Sequence, residues 1–79
     1  MQKSLSSRNH NLLIRLLRDV REEAGLRQVD VAEKLGQPQS FVSKYESGER
    51  RLDLLELEAV CVACDTSLDE FVAKYLDRK

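Results

Sequence analysis

Two short amphipathic segments, residues 28–35 and 38–46, lie on either side of Gly36 and constrain the fold more than any other feature. Apolar residues recur at helical spacing in both segments. Glycine just past such a segment is typical of a helix C-terminus. Pro38 suits the first position of a helix, because its missing N–H would be unpaired there anyway. The pattern predicts two short helices joined by a tight turn.

Three further helices are predicted around this pair. The first runs from Asn9 to Ala24, and the fourth follows Asp53 as its N-cap. The fifth begins at Ser67, which forms a capping box with Glu70. The sequence has no alternating β-branched run and no Asn-Gly or Asp-Gly turn, so we predict an all-α fold of five helices.

The fourth helix contains both cysteines of the chain. We expect its inward stripe to consist of Leu54, Leu57, Val60, Cys61 and Cys64. The two cysteines are too few for a disulfide framework or a four-ligand zinc site, and free cysteine packs as a small hydrophobe. Core packing is therefore the main interpretation of this CxxC pair, and a redox or metal role is the alternative.

The length of 79 residues is that of one small domain. We expect residues 1–8 to form a flexible N-terminal arm and residues 9–79 a single domain, with residues 67–79 as its C-terminal helix. No apolar run approaches the roughly 20 residues of a membrane span, and the N-terminal segment is too polar for a secretion signal. These features predict a cytoplasmic protein.

Charge is distributed unevenly along the chain. Residues 1–52 hold ten Lys and Arg against seven Asp and Glu (+3), and residues 53–79 hold three against seven (−4), which together give the net charge of −1. A weakly basic front joined to an acidic back is compatible with phosphate binding by the front. The single histidine, His10, has no nucleophile or metal cluster around it in sequence, so we expect no enzyme activity and no cofactor.

The second helix of the central pair has an outward face suited to DNA. Phe41, Val42 and Tyr45 fall on its inward side, and we expect Gln39, Ser40, Ser43 and Lys44 to face outward. Glutamine can pair bidentately with adenine, lysine with guanine and serine with either base. The alternative is an ordinary solvated helix face.

Residues 17–71 resemble the lambda-repressor-like helix-turn-helix family, also called Cro/CI or XRE, whose members are DNA-binding transcriptional regulators. The resemblance lies in R-E-E-A-G-L-x-Q at 21–28, V-A-E-K-L-G at 31–36 and Q-S-F-V-S-K-Y-E-S-G-E-R at 39–50. Two positions depart from the family pattern. Arg27 replaces the usual Ser or Thr cap, and Asp65 stands where the fourth helix usually ends in glycine.

The resemblance implies roles for individual residues. Gln39, Ser40 and Lys44 are expected to contact bases, and Arg21 and Glu46 to form an ion pair between the first and third helices. In the loop after the third helix, backbone N–H groups and basic side chains are expected to grip phosphates. The expected phosphate contacts are Arg27, Gln28, Ser43, Gly48, Glu49, Arg50 and Arg51.

A single recognition helix reads only a few base pairs, and proteins of this class gain specificity as dimers on palindromic operators. The expected dimer surface is the fifth helix, with Leu68, Phe71, Val72, Tyr75 and Leu76, and with Leu12 and Ile14 as exposed apolar residues nearby. The alternative is that this stripe only closes the monomer core.

Three other functions stay open from the sequence. The chain could be an antitoxin-type regulator that also binds a toxin partner through its acidic half. It could be a protein-interaction module that has lost its DNA contacts. It could also be a thiol switch, if Cys61 and Cys64 were solvent-reactive.

Overall fold

A computed structural model describes residues 8–79 of the chain. These residues form five helices and no strand: α1 (Arg8–Glu23), α2 (Gln28–Leu35), α3 (Gln39–Glu46), α4 (Leu54–Ala63) and α5 (Leu68–Arg78). The all-α prediction is confirmed, with helix boundaries within about one residue of those expected from caps and periodicity. Apart from Arg8, the arm predicted for residues 1–8 lies outside the described residues. No helix in the described part of the chain is long and apolar enough to cross a membrane.

All five helices contribute to one core. α2 packs against α3 and α4, while α1 packs against α3 and α5. Burial of apolar side chains from several helices is the main stabilising contribution in a domain of this size. The buried apolar residues are Leu16, Leu17, Val20, Val31, Ala32, Val42, Tyr45, Val60, Cys61, Ala63, Cys64 and Phe71.

Local capping determines where the helices start and stop. Gly36 ends α2 in the left-handed conformation, at φ 67°. Pro38 is the N-cap of α3 and not its first helical residue. The Asp53 carboxylate accepts a bond from the Glu56 N–H, and the Glu56 carboxylate accepts one from the Asp53 N–H, so α4 has a complete capping box. Asp65 takes a left-handed conformation after α4, at φ 62°, where the family usually has glycine.

The cap of α5 is only half of the predicted capping box. Ser67 accepts a hydrogen bond from the Glu70 N–H at 3.3 Å. The Glu70 carboxylate accepts instead from the Thr66 hydroxyl at 3.1 Å. The sequence pattern identified the start of this helix correctly, but the Glu70 carboxylate accepts from the Thr66 side chain and not from the Ser67 N–H.

Several burial expectations were wrong. Leu54 was predicted to face inward, yet 65% of its surface is exposed. Leu12 and Ile14 were expected to be exposed, but both are half-buried, and Leu12 packs on the core. A Cβ added at Gly48 would lie 3.0 Å from the Ile14 Cδ1 atom, so Ile14 packs against the loop that follows α3. Phe71 is only 1% exposed and belongs to the monomer core, so it is not available for a dimer surface.

We expect both thiols to be nearly unreactive in the folded protein. Cys61 and Cys64 are buried, and burial raises the pKa of Cys61 from 9.0 to about 11 and also raises the pKa of Cys64. Because the thiolate is the nucleophile, alkylation at pH 8 should require opening of the fold and be about 10³-fold or more slower than in urea.

The unfolded thiols ionise at lower pH than the folded Cys61, so stability should fall as pH rises from 9 toward 11.

The control is the same reagent on the chain in denaturing urea, where both thiols should react together and rapidly. Fast labelling of the native protein would contradict the packing interpretation and favour the thiol switch.

Candidate nucleic-acid interface

The exposed face of α3 carries the four polar side chains that the sequence assigned to it. Gln39, Ser40, Ser43 and Lys44 are exposed, whereas Val42 and Tyr45 are buried. Phe41 is half-buried and meets the Tyr45 ring edge-on, with 5.7 Å between ring centroids. The apolar side of α3 therefore fixes the helix on the core and leaves its polar side open to a partner.

A buried ion pair links α1 to the end of α3. The Arg21 Nε atom donates to Glu46 Oε2 at 2.6 Å, and Arg21 Nη2 donates to Glu46 Oε1 at 3.0 Å. Arg21 Nη1 also donates to the Leu26 carbonyl at 2.9 Å. The hydrogen bonds to Glu46 raise the pKa of Arg21 above its ordinary value. This bidentate pair, predicted from the family resemblance, is present.

Two glutamines extend the ion pair to the protein surface. Gln28 Nε2 donates to Glu46 Oε1 at 3.0 Å, and Gln39 Nε2 donates to Gln28 Oε1 at 3.4 Å. The chain of contacts therefore runs from buried Arg21 to exposed Gln39 at the start of α3. Each group restricts the rotamers of the next, which lowers the entropic cost of presenting Gln39 in one orientation.

The backbone of the loop after α3 is used internally. The N–H groups of Glu49 and Arg50 donate to the Lys44 carbonyl at 2.9 and 3.1 Å, and the Gly48 N–H donates to the Tyr45 carbonyl at 3.3 Å. Carbonyls at a helix C-terminus need such donors. The N–H groups of Gly48, Glu49 and Arg50, which were expected to contact phosphates, therefore already have acceptors within the protein.

Arg50 is held on the surface by three contacts. Its guanidinium donates to both carboxylate oxygens of Glu56, at 3.1 and 2.9 Å, and its Cζ atom lies 4.6 Å from the centroid of the Phe41 ring. It also donates to the Arg51 carbonyl at 3.0 Å. The Glu56 partner raises the pKa of Arg50, and Arg50 lowers that of Glu56. Arg50 thus joins the loop to both α3 and α4.

Arg27 and Arg51 lie in different surroundings. Arg27 donates to both carboxylate oxygens of Asp30, at 3.0 and 2.8 Å, and lowers the pKa of Asp30 to about 2. Asp30 also accepts the Arg27 N–H at 2.8 Å, so α2 has the N3 half of a capping box but no side-chain cap at Arg27. Arg51 is exposed beside His10, whose pKa is lowered by burial and by the nearby Arg51 charge. Arg51 has no ion-pair partner within residues 8–79.

The fold gathers some of the predicted contact residues and separates others. Ser40, Lys44, Glu49 and Arg50 line one open hollow of about 500 Å³ beside α3. Arg51 instead borders a second hollow, between α1 and α5, with His10. Sequence reasoning did not assign Glu56 any part in this surface. Its capping-box spacing from Asp53 was visible in the sequence, but its contact with Arg50 depends on how the loop folds.

A model of helix-turn-helix domains matches residues 17–71 of the chain. Among solved structures, an XRE-family like protein from Pseudomonas syringae pv. tomato str. DC3000 is 37% identical, with a TM-score of 0.89, and the match covers 96% of this chain and 93% of that one. No curated protein sequence gave a significant match.

Two further structures share the fold at lower identity. The wild-type restriction-modification controller protein C.Esp1396I is 22% identical, with a TM-score of 0.82, over 90% of this chain and 93% of that one. The clp gene regulator ClgR from C. glutamicum is 21% identical, with a TM-score of 0.79, over 91% of this chain and 92% of that one. C.Esp1396I has also been solved as a tetramer in complex with its natural 35 base-pair operator.

Proposed function

The chain belongs to the XRE family of helix-turn-helix DNA-binding transcription regulators, and from this premise we propose that it binds a palindromic operator as a homodimer. In this proposal α3 enters the major groove, where Gln39, Ser40 and Lys44 read base edges. Binding at an operator that overlaps a promoter would block or recruit polymerase. The protein would work in the cytoplasm.

The observation that carries this proposal is the network from Arg21 through Glu46 and Gln28 to Gln39. A solvated face has no need of an oriented side chain, whereas base recognition gains affinity from an amide that Gln28 helps to orient. The Gln28 amide already contacts Gln39, so a phosphate contact by Gln28 would fix both the register of the protein on DNA and the reading side chain.

The phosphate contacts are proposed for side chains and not for the loop backbone. Ser43 and Arg51 are exposed, and Arg51 carries a charge without an ion-pair partner in the described residues. Arg27 and Arg50 complete the proposed rim, but both would have to exchange or share their carboxylate partners on DNA. Arg51 is therefore proposed as the main phosphate contact of the loop.

Selection of bound duplexes from a random pool tests this function directly. We expect an enriched palindrome whose half-sites are centred about 34 Å apart, or about one helical turn of DNA. Binding to the selected duplex should weaken steeply with added salt, because each phosphate contact releases counterions. Failure to enrich any sequence at low salt would contradict the proposal, and enrichment of an unpaired half-site would contradict its dimeric part.

A further inference from the structure

The outer face of α4 is apolar and uncovered in the monomer. Leu55 and Val62 are 76% and 65% exposed, and Ala59 lies between them on the same side of the helix. With Leu35 at the end of α2 they border an open hollow of about 610 Å³. We call Leu35, Leu55, Ala59 and Val62, with the flanking Lys34 and Glu58, the α4 face.

An apolar residue on the outside of one helix needs no explanation, but α4 has several apolar residues on its outer side as well as on its inner side, beside Glu56 and Glu58. Its inner side buries Val60, Cys61 and Ala63 in the core. Exposed apolar side chains grouped on one side of a helix often mark a surface that a partner covers. Among residues 8–79, three of the five large apolar side chains that stay exposed belong to α4: Leu54, Leu55 and Val62. The helix is therefore only half covered in the monomer.

The two charged side chains beside the α4 face have opposite signs. Lys34 and Glu58 border the same hollow from different helices, and neither forms an ion pair within residues 8–79. In a two-fold symmetric contact, the lysine of one copy can meet the glutamate of the other, twice over. The face has no net charge, so two copies bring no repulsion together even though residues 53–79 as a whole are acidic.

α5, the dimer surface expected from the sequence, has fewer exposed large apolar side chains than α4. Phe71 is buried, and Leu68 and Tyr75 pack against the core. Val72 and Leu76 are its exposed apolar remainder, at 37% and 56%. Lys74 and Arg78 are paired with α1, to Glu23 and Asp19 at 3.5 and 3.8 Å. Leu68, Phe71 and Tyr75 of the α5 stripe thus contribute to the monomer core, as in the alternative given for it above, while Val72 and Leu76 stay exposed.

We infer that a second copy of this chain docks on the α4 face, with Lys34 of each protomer paired to Glu58 of its partner. The inference rests on the homodimer proposed above and names its surface. The α4 helix begins shortly after Arg51, so the interface and the loop that carries the phosphate contact are adjacent in the chain.

Charge exchange at Lys34 and Glu58 tests the pairing. Sedimentation of Lys34→Glu or of Glu58→Lys should give a dimer dissociation constant at least about tenfold above that of the native sequence, because like charges then face each other. The double exchange should restore dimerisation to within about threefold. A double variant no better than either single variant, or a native chain that stays monomeric at tens of micromolar, would overturn the inference.

A second pair of variants separates the two candidate surfaces. Leu55→Lys should abolish the dimer, while Leu76→Lys on α5 should leave it intact, and helical circular dichroism should be unchanged in both because both positions are exposed. Dissociation by Leu76→Lys alone would overturn the inference. Binding to a duplex with one half-site, measured in parallel, reports DNA recognition independently: if no duplex binds while the charge exchange behaves as expected, the proposed function fails and the α4 interface stands.

Discussion

Replacing Arg21 with alanine should lower the free energy of unfolding by about 3–5 kcal/mol. The change leaves the Glu46 carboxylate, whose side chain is only 5% exposed, without its bidentate partner, and it also removes the donor to the Leu26 carbonyl. An unpaired buried charge costs far more than the net value of the pair, because its desolvation is no longer compensated. Urea unfolding at pH 7, followed by helical circular dichroism, measures the loss.

Arg18 provides the matched control on the same helix. Its guanidinium lies 3.8 Å from the Glu22 carboxylate, and both side chains are more than half exposed. Arg18→Ala should therefore change the free energy of unfolding by about 0.5 kcal/mol or less. Arg21→Lys should recover only part of the stability, since one ammonium cannot reproduce two parallel N–H bonds. Equal losses for Arg18→Ala and Arg21→Ala would show that the pair contributes no more than a surface contact.

The helices were predictable because their signals are local. Gly36, Asp53 and Ser67 mark helix ends through backbone requirements that depend on a few neighbouring residues. The separation of α3 into a buried and an exposed side follows from a periodicity visible within eight residues. The Arg21 and Glu46 pair is 25 residues apart in sequence, and only the family resemblance predicted it.

The predictions of burial failed where burial depends on contacts between residues that are distant in sequence. Apolar residues lie on both the inner and the outer side of α4, so its periodicity could not distinguish the two sides, and Leu54 was assigned inward. Ile14 was predicted to be exposed, because the sequence does not show that the loop at Gly48 packs against it. Phe71 was assigned to a dimer surface, but it is buried in the core, and only two phenylalanines are present in the chain.

The contacts of the loop could not be predicted from the sequence either. Basic residues after Gly48 indicated phosphate binding, and only the fold shows that Arg50 is already held by Glu56 and stacked on Phe41. The same fold uses the Glu49 N–H to satisfy the Lys44 carbonyl at the end of α3. A charge pattern predicts where positive residues lie, but it cannot separate a charge that is free to bind from one that fixes the loop.

Alanine at Gln39 or at Lys44 should weaken binding to the selected operator by about 1–3 kcal/mol in each half-site, so a symmetric dimer should lose twice that amount. Both side chains are exposed on α3, and Gln39 is the end of the network that starts at Arg21. Loss of a base contact should act on the preferred sequence and spare non-specific DNA, apart from the charge lost at Lys44. Fluorescence anisotropy with operator and scrambled duplexes measures both affinities.

Lys74→Ala is the matched control, because it removes one exposed lysine from α5, away from the recognition helix. It should change operator affinity little beyond a weak charge effect. Arg51→Ala should behave differently from both α3 variants: operator and scrambled duplexes should weaken alike, and the salt slope should fall by about one for each protomer. If Lys44→Ala weakened the two duplexes equally, Lys44 would be a phosphate contact, and the choice of sequence would rest on Gln39 and Ser40.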